Sequence, residues 1–414
     1  LIADDAIHLS QEQMSIVKKK LSKSFNEFFD SEKASGIILI ICTIISLIVA
    51  NFLLGEKYLD FWHIYVGGLS LEYWINDGLM AIFFLLIGLE LKRELYKGEL
   101  SNFNNALLPI IAAVGGLAIP ALFHYALNAG TPEQAGMGIP MATDIAFALG
   151  VLALLGNSVP ASLKVFLTAL AVMDDLGAII VIAVFYTAKL STAYLFAAMV
   201  IFGLLSLLNK AKVMSLIPYL LGGALMWFFM LKSGVHATIA GVLLAFTIPF
   251  TAVEDDESSP SYKLEHFLHK PVAFFILPIF ALANTGIIIG ADSIEALKHA
   301  NEIGIMGGLV IGKPIGITVS CFIAVSLGVC RLPLDLNWKH VFGAGLLGGI
   351  GFTMSIFITN LAFATNPVEV YGSKMAILLS SLVAGILGFT WLKLFGQPEA
   401  MDDDLDAMDF EEDD

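Results

Sequence analysis

The sequence predicts an all-α polytopic membrane fold of about twelve transmembrane helices, and three observations carry that expectation. The 414 residues are 57% hydrophobic and 14% charged, against about 45–50% and about 25% for an ordinary soluble domain. The apolar excess is gathered into runs of about 18–25 residues, the length a helix needs to cross a hydrocarbon layer about 30 Å thick. Short polar links separate the runs, so the chain reads as helices in lipid.

In order, the runs fall at residues 35–54, 76–91, 105–128, 136–154, 161–187, 191–209, 213–231, 234–250, 271–290, 303–327, 340–364 and 372–395. Residues 1–34 lack the apolar core of a signal peptide and read as an N-terminal extension. Residues 35–396 form the twelve-helix domain, and 397–414 an acidic tail with ten carboxylates and no Lys or Arg. Without that tail 27 acids face 22 bases, and the net charge of −15 falls to −5. The tail reads as a solvated, disordered appendage; a regulatory contact is the other reading. Nothing in the charge pattern supports nucleic-acid binding. Cys42, Cys321 and Cys330 all lie in apolar runs and read as inert core residues, not as a disulfide framework or a metal site.

Basic residues in short links concentrate on the cytoplasmic side. With the N-terminus inside, sixteen Lys and Arg fall on that side and five (Lys57, Lys189, Lys232, Lys298, Lys374) on the other, while Lys313 belongs to neither. Both termini are therefore expected in the cytoplasm, which agrees with an even number of spans. The link at 55–74 sets Gly67-Gly68 between runs rich in aromatic and branched residues, a hairpin signal. An extracytoplasmic hairpin has an unpaired edge that can join a second copy into a homodimer; a self-contained loop is the alternative. The cytoplasmic link near 252–270 carries Glu254, Asp255, Asp256 and Glu257, then Glu265, His266 and His269.

Four ionisable residues stand inside otherwise apolar spans: Asp144, Asp174, Asp175 and Lys313. A charge at mid-helix costs at least about 2.5–3.5 kcal/mol on the insertion scale, so such residues line a pathway or pair with each other. Asp174 and Asp175 are consecutive and point about 100° apart, so one is free to bind an ion while the other takes a counter-charge. Lys313 is the mid-span base placed for that role, and an ion pair at about 4 Å gains roughly 4 kcal/mol at an effective dielectric near 20. The plainer reading, charges that only hold helices together, meets the difficulty that one base does not neutralise three acids. Around Asp144, in G-I-P-M-A-T-D, Pro140 removes a backbone donor and Thr143 offers a substitute partner. A second candidate break is G-G-I-G-F-T-M-S at 348–355, where close helix packing is the competing explanation. Two weakened spans in corresponding places point to an inverted-repeat transporter with its site near midplane.

Several strings then carry a family resemblance: F-F-L-L-I-G-L-E-L-K-R-E-L at 83–95, A-T-D-I-A-F-A-L-G at 142–150, D-D-L-G-A-I-I at 174–180, I-G-K-P-I-G-I at 311–317 and G-G-I-G-F-T-M-S-I-F-I at 348–358. From about residue 35 to 395 the chain closely resembles the NhaA-type sodium/proton antiporters. The resemblance implies inverted repeats of spans 3–5 and 10–12, with spans 4 and 11 interrupted and crossing. It implies that Asp175 binds the cation, that Asp174 works beside it and pairs with Lys313, and that Thr143, Asp144 and Lys313 compensate charge at the crossing. Glu90, Glu94, Glu265, His266 and His269 match positions the family associates with pH response, and His236 does so more weakly.

The function this implies is electrogenic exchange of Na+ or Li+ for protons across a bacterial inner membrane, with a role in pH and sodium homeostasis. The protein would be a secondary active transporter, not an enzyme, with no cofactor; its partners would be the bilayer, the transported ions and a second copy. Sodium prefers oxygen ligands and a carboxylate binds it when ionised, so protons and sodium compete for Asp175. A cation-coupled symporter of a small organic solute is the alternative, marked by dependence on a third solute. An intramembrane aspartic protease needs two acids facing each other and sharing a proton, which adjacent Asp174 and Asp175 do not provide.

Overall fold

The computed structural model describes residues 33–98, 101, 103–186, 190–251, 259–290 and 295–397. Almost all of the expected N-terminal extension, the acidic tail from 398 and the acidic run at 254–257 lie outside the described residues.

The described chain is mostly helical, as it must be where no water satisfies backbone N–H and C=O groups. Helix α1 covers Lys33–Leu53, and a short α2, Glu56–Trp62, follows. Strands β1, Tyr65–Val66, and β2, Leu69–Ser70, pair antiparallel. Then come α3, Leu71–Tyr96; α4, Phe103–Asn128; a 3-10 helix, Pro132–Met141, leading into α5, Ile145–Leu154; and α6, Ala161–Phe185. Next are α7, Thr192–Lys210; α8, Ile217–Ser233; α9, Ile239–Thr247; and α10, Pro260–Asn284. The chain closes with α11, Ala300–Ser326; α12, Trp338–Gly348; α13, Phe352–Ala362; and α14, Pro367–Phe395.

Among the described residues eight helices are long and apolar enough to cross a membrane, and up to ten if each of two bent pairs counts as one span. The pairs are the 3-10 helix with α5, bent by 40°, and α12 with α13, bent by 47°. The runs expected at 213–231 and 234–250 correspond to α8, with 17 residues, and α9, with 9. Both are shorter than the roughly 20 residues of an ordinary span.

Burial follows the membrane setting. Only 11% of the most apolar window of α7 is buried; Phe196, Leu204 and Leu207 face outward, a surface that suits hydrocarbon and not water. The interior is formed by α4 along α11, α9 along α3 and α12 along α14. Gly115 of α4 and Gly316 of α11 touch backbone to backbone, and a Cβ on either would collide with the other's carbonyl oxygen.

The link at 55–74 differs from its sequence reading. Its first run, E-K-Y-L-D-F-W, forms α2 instead of a strand, and each strand is two residues long. Tyr58 explains the helix: its ring is buried and its hydroxyl donates to Leu282 O at 2.8 Å, an anchor on α10 that a strand would turn away. The turn itself needs glycine, with φ at 63° for Gly67 and 88° for Gly68. Trp74 Nε1 donates to Val66 O at 2.9 Å and its ring stacks on Trp227, tying the hairpin to α8.

Candidate functional site

Asp144, Asp174 and Lys313 meet where the two bent pairs touch, and Asp175, the next residue on α6, is in electrostatic reach of all three. Asp144 sits in extended backbone just ahead of α5, and its Oδ1 accepts from Phe147 N–H at 2.9 Å. Its Oδ2 accepts from Thr353 N–H at 3.0 Å and from the Thr353 hydroxyl. Thr353 is the second residue of α13, so one carboxylate closes the N-terminal ends of two half-helices, where unsatisfied N–H groups gather partial positive charge.

The C-terminal ends are met differently. Lys313 Nζ donates to the carbonyl of Met141, the last residue of the 3-10 helix. Thr143 Oγ1 lies 2.8 Å from the carbonyl of Gly348, the last residue of α12. Asp144 N–H to Ile350 O at 2.7 Å and Ser355 Oγ to Ile139 O at 2.7 Å complete the junction. Lys313 fits because Gly116 and Gly348 flank its stem, their Cβ positions falling 3.6 and 3.7 Å from its side-chain carbons. It follows a π-helical turn, Gly308–Gly312, and precedes Pro314, which has no N–H to give.

Asp174 and Asp175 are fully buried on α6, 0% and 1% exposed, and they differ in one oxygen: Asp174 Oδ1 has no hydrogen-bond partner among the described residues, but its Oδ2 is held. Asp174 Oδ2 is 2.7 Å from Lys313 Nζ and 2.7 Å from Thr143 Oγ1. The Coulomb gain exceeds about 4 kcal/mol at an effective dielectric near 20, much of it offset by desolvation. Thr143 has one hydroxyl hydrogen and two neighbouring acceptors. That hydrogen is either shared between the two or given wholly to Gly348 O when Asp174 carries a proton of its own to donate to Thr143.

Neither oxygen of Asp175 has a hydrogen-bond partner among the described residues. Asp174, Asp144 and Glu90 act on it with negative charge and Lys313 with positive. A lone carboxylate out of water is costly, and either a proton or a cation removes that cost.

A second group gathers at the other end of α3. Arg93 Nε lies 2.8 Å from Glu265 Oε1, Arg93 Nη2 lies 3.4 Å from Glu94 Oε1, and Glu90 acts on the same guanidinium. His266 stacks on Tyr262, and His269 is in electrostatic reach of His266 and Arg93. His236 stands apart, its Nε2 2.7 Å from Tyr186 O, in the wall of a cavity of about 640 Å³ beside the hairpin. That cavity is also lined by Trp62, Glu72, Asp77, Asn284 and Lys374, and by none of the four junction residues.

Burial of charge extends beyond the four ionisable residues that stand inside apolar runs. Lys92, Glu265, Glu302 and Lys374 are also buried. Lys92 falls just past the expected span 76–91 and Lys374 at the start of the expected span 372–395, but α3 runs on to Tyr96 and α14 begins at Pro367, which sets both within helices. Lys92 Nζ donates to the Ala245, Phe246 and Ile248 carbonyls at the end of α9, and Lys374 Nζ donates to Asn284 Oδ1 at 3.3 Å. Arg93, one of the sixteen bases expected on the cytoplasmic side, is the hub of the carboxylates at its end of the bundle; its place in L-E-L-K-R-E-L, between Glu90 and Glu94, is the sequence signal for that role.

Membrane helices bent at a shared junction of buried acids and one lysine define a membrane protein of the transporter class. The chain belongs to the family described as Na+/H+ antiporter 1, whose profile matches residues 26–392. It is 69% identical over 385 residues to the Na(+)/H(+) antiporter NhaA of Dechloromonas aromatica, covering 93% of this chain and 99% of that one. It is 60% identical to the Na(+)/H(+) antiporter NhaA of Flavobacterium psychrophilum, over 90% of this chain and 97% of the relative. The same identity relates it to the protein of that name from Cytophaga hutchinsonii, over 91% and 96%.

Proposed function

We propose that this protein is a secondary active, electrogenic antiporter that exports Na+ or Li+ from the bacterial cytoplasm in exchange for protons, and so serves pH and sodium homeostasis. The observation that carries the reading is Asp175: a buried carboxylate with neither oxygen hydrogen-bonded among the described residues, one residue from a carboxylate whose Oδ2 is held by Lys313 and Thr143. Asp175 holds either the cation or a proton. Asp174, paired with Lys313 and bonded to Thr143, takes a further proton in the cycle, and more than one proton per cation makes exchange electrogenic. No observation favours symport.

The two bent pairs act as interrupted, crossing spans 4 and 11 of two inverted repeats, and α8 and α9 complete twelve spans. Thr143, Asp144 and Lys313 compensate charge at the crossing. Glu90, Glu94, Glu265, His266 and His269 tune the response to pH, with His236 contributing from the hairpin end. The protein is multi-pass in the inner membrane with both termini cytoplasmic. It dimerises through the hairpin at 55–74, whose Tyr65 is 76% exposed beside an unpaired strand edge.

The test is collapse of a preformed pH gradient in everted vesicles on addition of each alkali cation. Asp175→Asn should abolish the response to Na+ and Li+ while the protein remains folded by detergent gel filtration. Substantial remaining sodium-driven proton movement would reject the assignment.

A further inference from the structure

A separate group of buried ionisable side chains lies toward the hairpin-bearing end, and nothing in the exchange cycle uses it. Four elements build it: His124 and Asn128 end α4, Gly136 lies in the 3-10 helix, Asn301 and Glu302 open α11, and Glu369 and Ser373 open α14. His124, Asn128, Asn301, Glu302 and Ser373 are all buried. Glycines let the backbones close around them. A Cβ on Gly136 would lie 2.9 Å from Asn301 Oδ1, one on Gly304 would lie 2.7 Å from His124 Cδ2, and one on Gly372 would collide with Glu302 Oε1.

The hydrogen bonds fix where protons are. Asn301 Nδ2 faces Glu302 Oε1 at 3.2 Å, Glu369 Oε2 at 3.2 Å and Ser373 Oγ at 2.9 Å. Its two hydrogens are thus directed at carboxylates and a hydroxyl, which leaves Asn301 Oδ1 facing His124 Nε2 at 3.0 Å. That oxygen only accepts, so His124 donates from Nε2 and its Nδ1 is a bare lone pair when the ring is neutral. Nδ1 has no partner among the described residues, and neither does Glu302 Oε2.

Both orphan atoms are therefore acceptors, in a group that is short of hydrogens. Glu369 and His299 act electrostatically on Glu302, and Glu133 and His299 act on Glu369. Three carboxylates thus face two imidazoles, His124 and His299. Buried acceptors of this kind are relieved by taking up a proton. A metal ion is the poorer fit, because the described residues hold no group of three or more His, Cys, Asp or Glu side chains arranged for one.

We propose that Glu302, joined to Glu369 and His124 through Asn301, is a second proton-binding site, separate from Asp175. The proton gives Glu302 Oε2 a hydrogen to donate and removes the repulsion between Glu302 and Glu369. Occupancy thereby sets how firmly α4, the 3-10 helix, α11 and α14 are clasped at this end. Lys313 follows Glu302 on α11 by about three turns, so the clasp acts on the element that carries the junction's lysine.

Infrared pH-difference spectra of the full-length protein in detergent test this directly. The unmodified protein should show a protonated-carboxyl band that fades as pH rises and that Glu302→Gln lacks. Asp175→Asn should keep that band, so a failure of the exchange assignment and a failure of this one give different spectra. Should Glu302→Gln not fold, carbon-13 labelling of glutamate in the unmodified protein replaces it, and the titrating band should move. A band untouched by Glu302→Gln, or one that ignores glutamate labelling, overturns the proposal.

Discussion

The break after Met141 brings its own proline and its own aspartate, whereas the break after Gly348 has glycines on either side of Ile350 and no charged residue within it. Yet both are closed to a similar degree, because the first lends its acid to the second. Asp144 bonds Phe147 three residues ahead and Thr353 at a separation of 209. The positive ends share one carboxylate, while the negative ends are met by unlike donors: an ammonium at Met141 and a hydroxyl at Gly348. The lesson is that the two breaks are one electrostatic unit, with a strong shared bond on one side and unequal bonds on the other.

Removing the shared acid should do the most damage. Asp144→Ala strips three donors of a buried acceptor, and with hydrogen bonds to charged groups worth about 1.5–3 kcal/mol each, a loss of about 5 kcal/mol is expected in chemical unfolding in detergent. A loss below about 1 kcal/mol would mean that each half-helix end is satisfied independently. Lys313→Ala removes the donor at Met141 and the counter-charge of Asp174 together. Breaking a buried pair from one side costs about 3–5 kcal/mol, and thermal melts should show the deficit shrinking on acidification, since a protonated Asp174 needs no counter-charge. An equal deficit at every pH would separate Lys313 from Asp174. Thr143→Val, confined to the Gly348 end and the Asp174 contact, should cost about 1–3 kcal/mol; a cost equal to that of Lys313→Ala would erase the inequality between the two negative ends.

Much of this was legible in the sequence for a simple reason. Apolar runs of membrane length announce spans, and Asp144, Asp174, Asp175 and Lys313 stand out because their neighbours are all apolar. Lys92, Glu302 and Lys374 were hidden because they lie within a turn or two of a link, where a charge is compatible with exposure, and only packing against α9, α4 or α10 shows them buried. Pro140 and the glycines at 348–351 marked where helices would break, but local chemistry could not tell which side chain would close which end. That depends on contacts such as Asp144 with Thr353. The α2 segment failed for a related cause: its aromatic run suits a strand locally, and the anchor that makes it a helix, Tyr58 on Leu282 O, lies 224 residues away.

The meeting of Gly115 with Gly316 has a consequence for motion. Two helices whose main chains touch leave no room for a side chain between them, so any shift of α11 against α4 has to begin by parting this contact. Lys313 stands three residues before Gly316 on α11, so its place beside Met141 is tied to that contact.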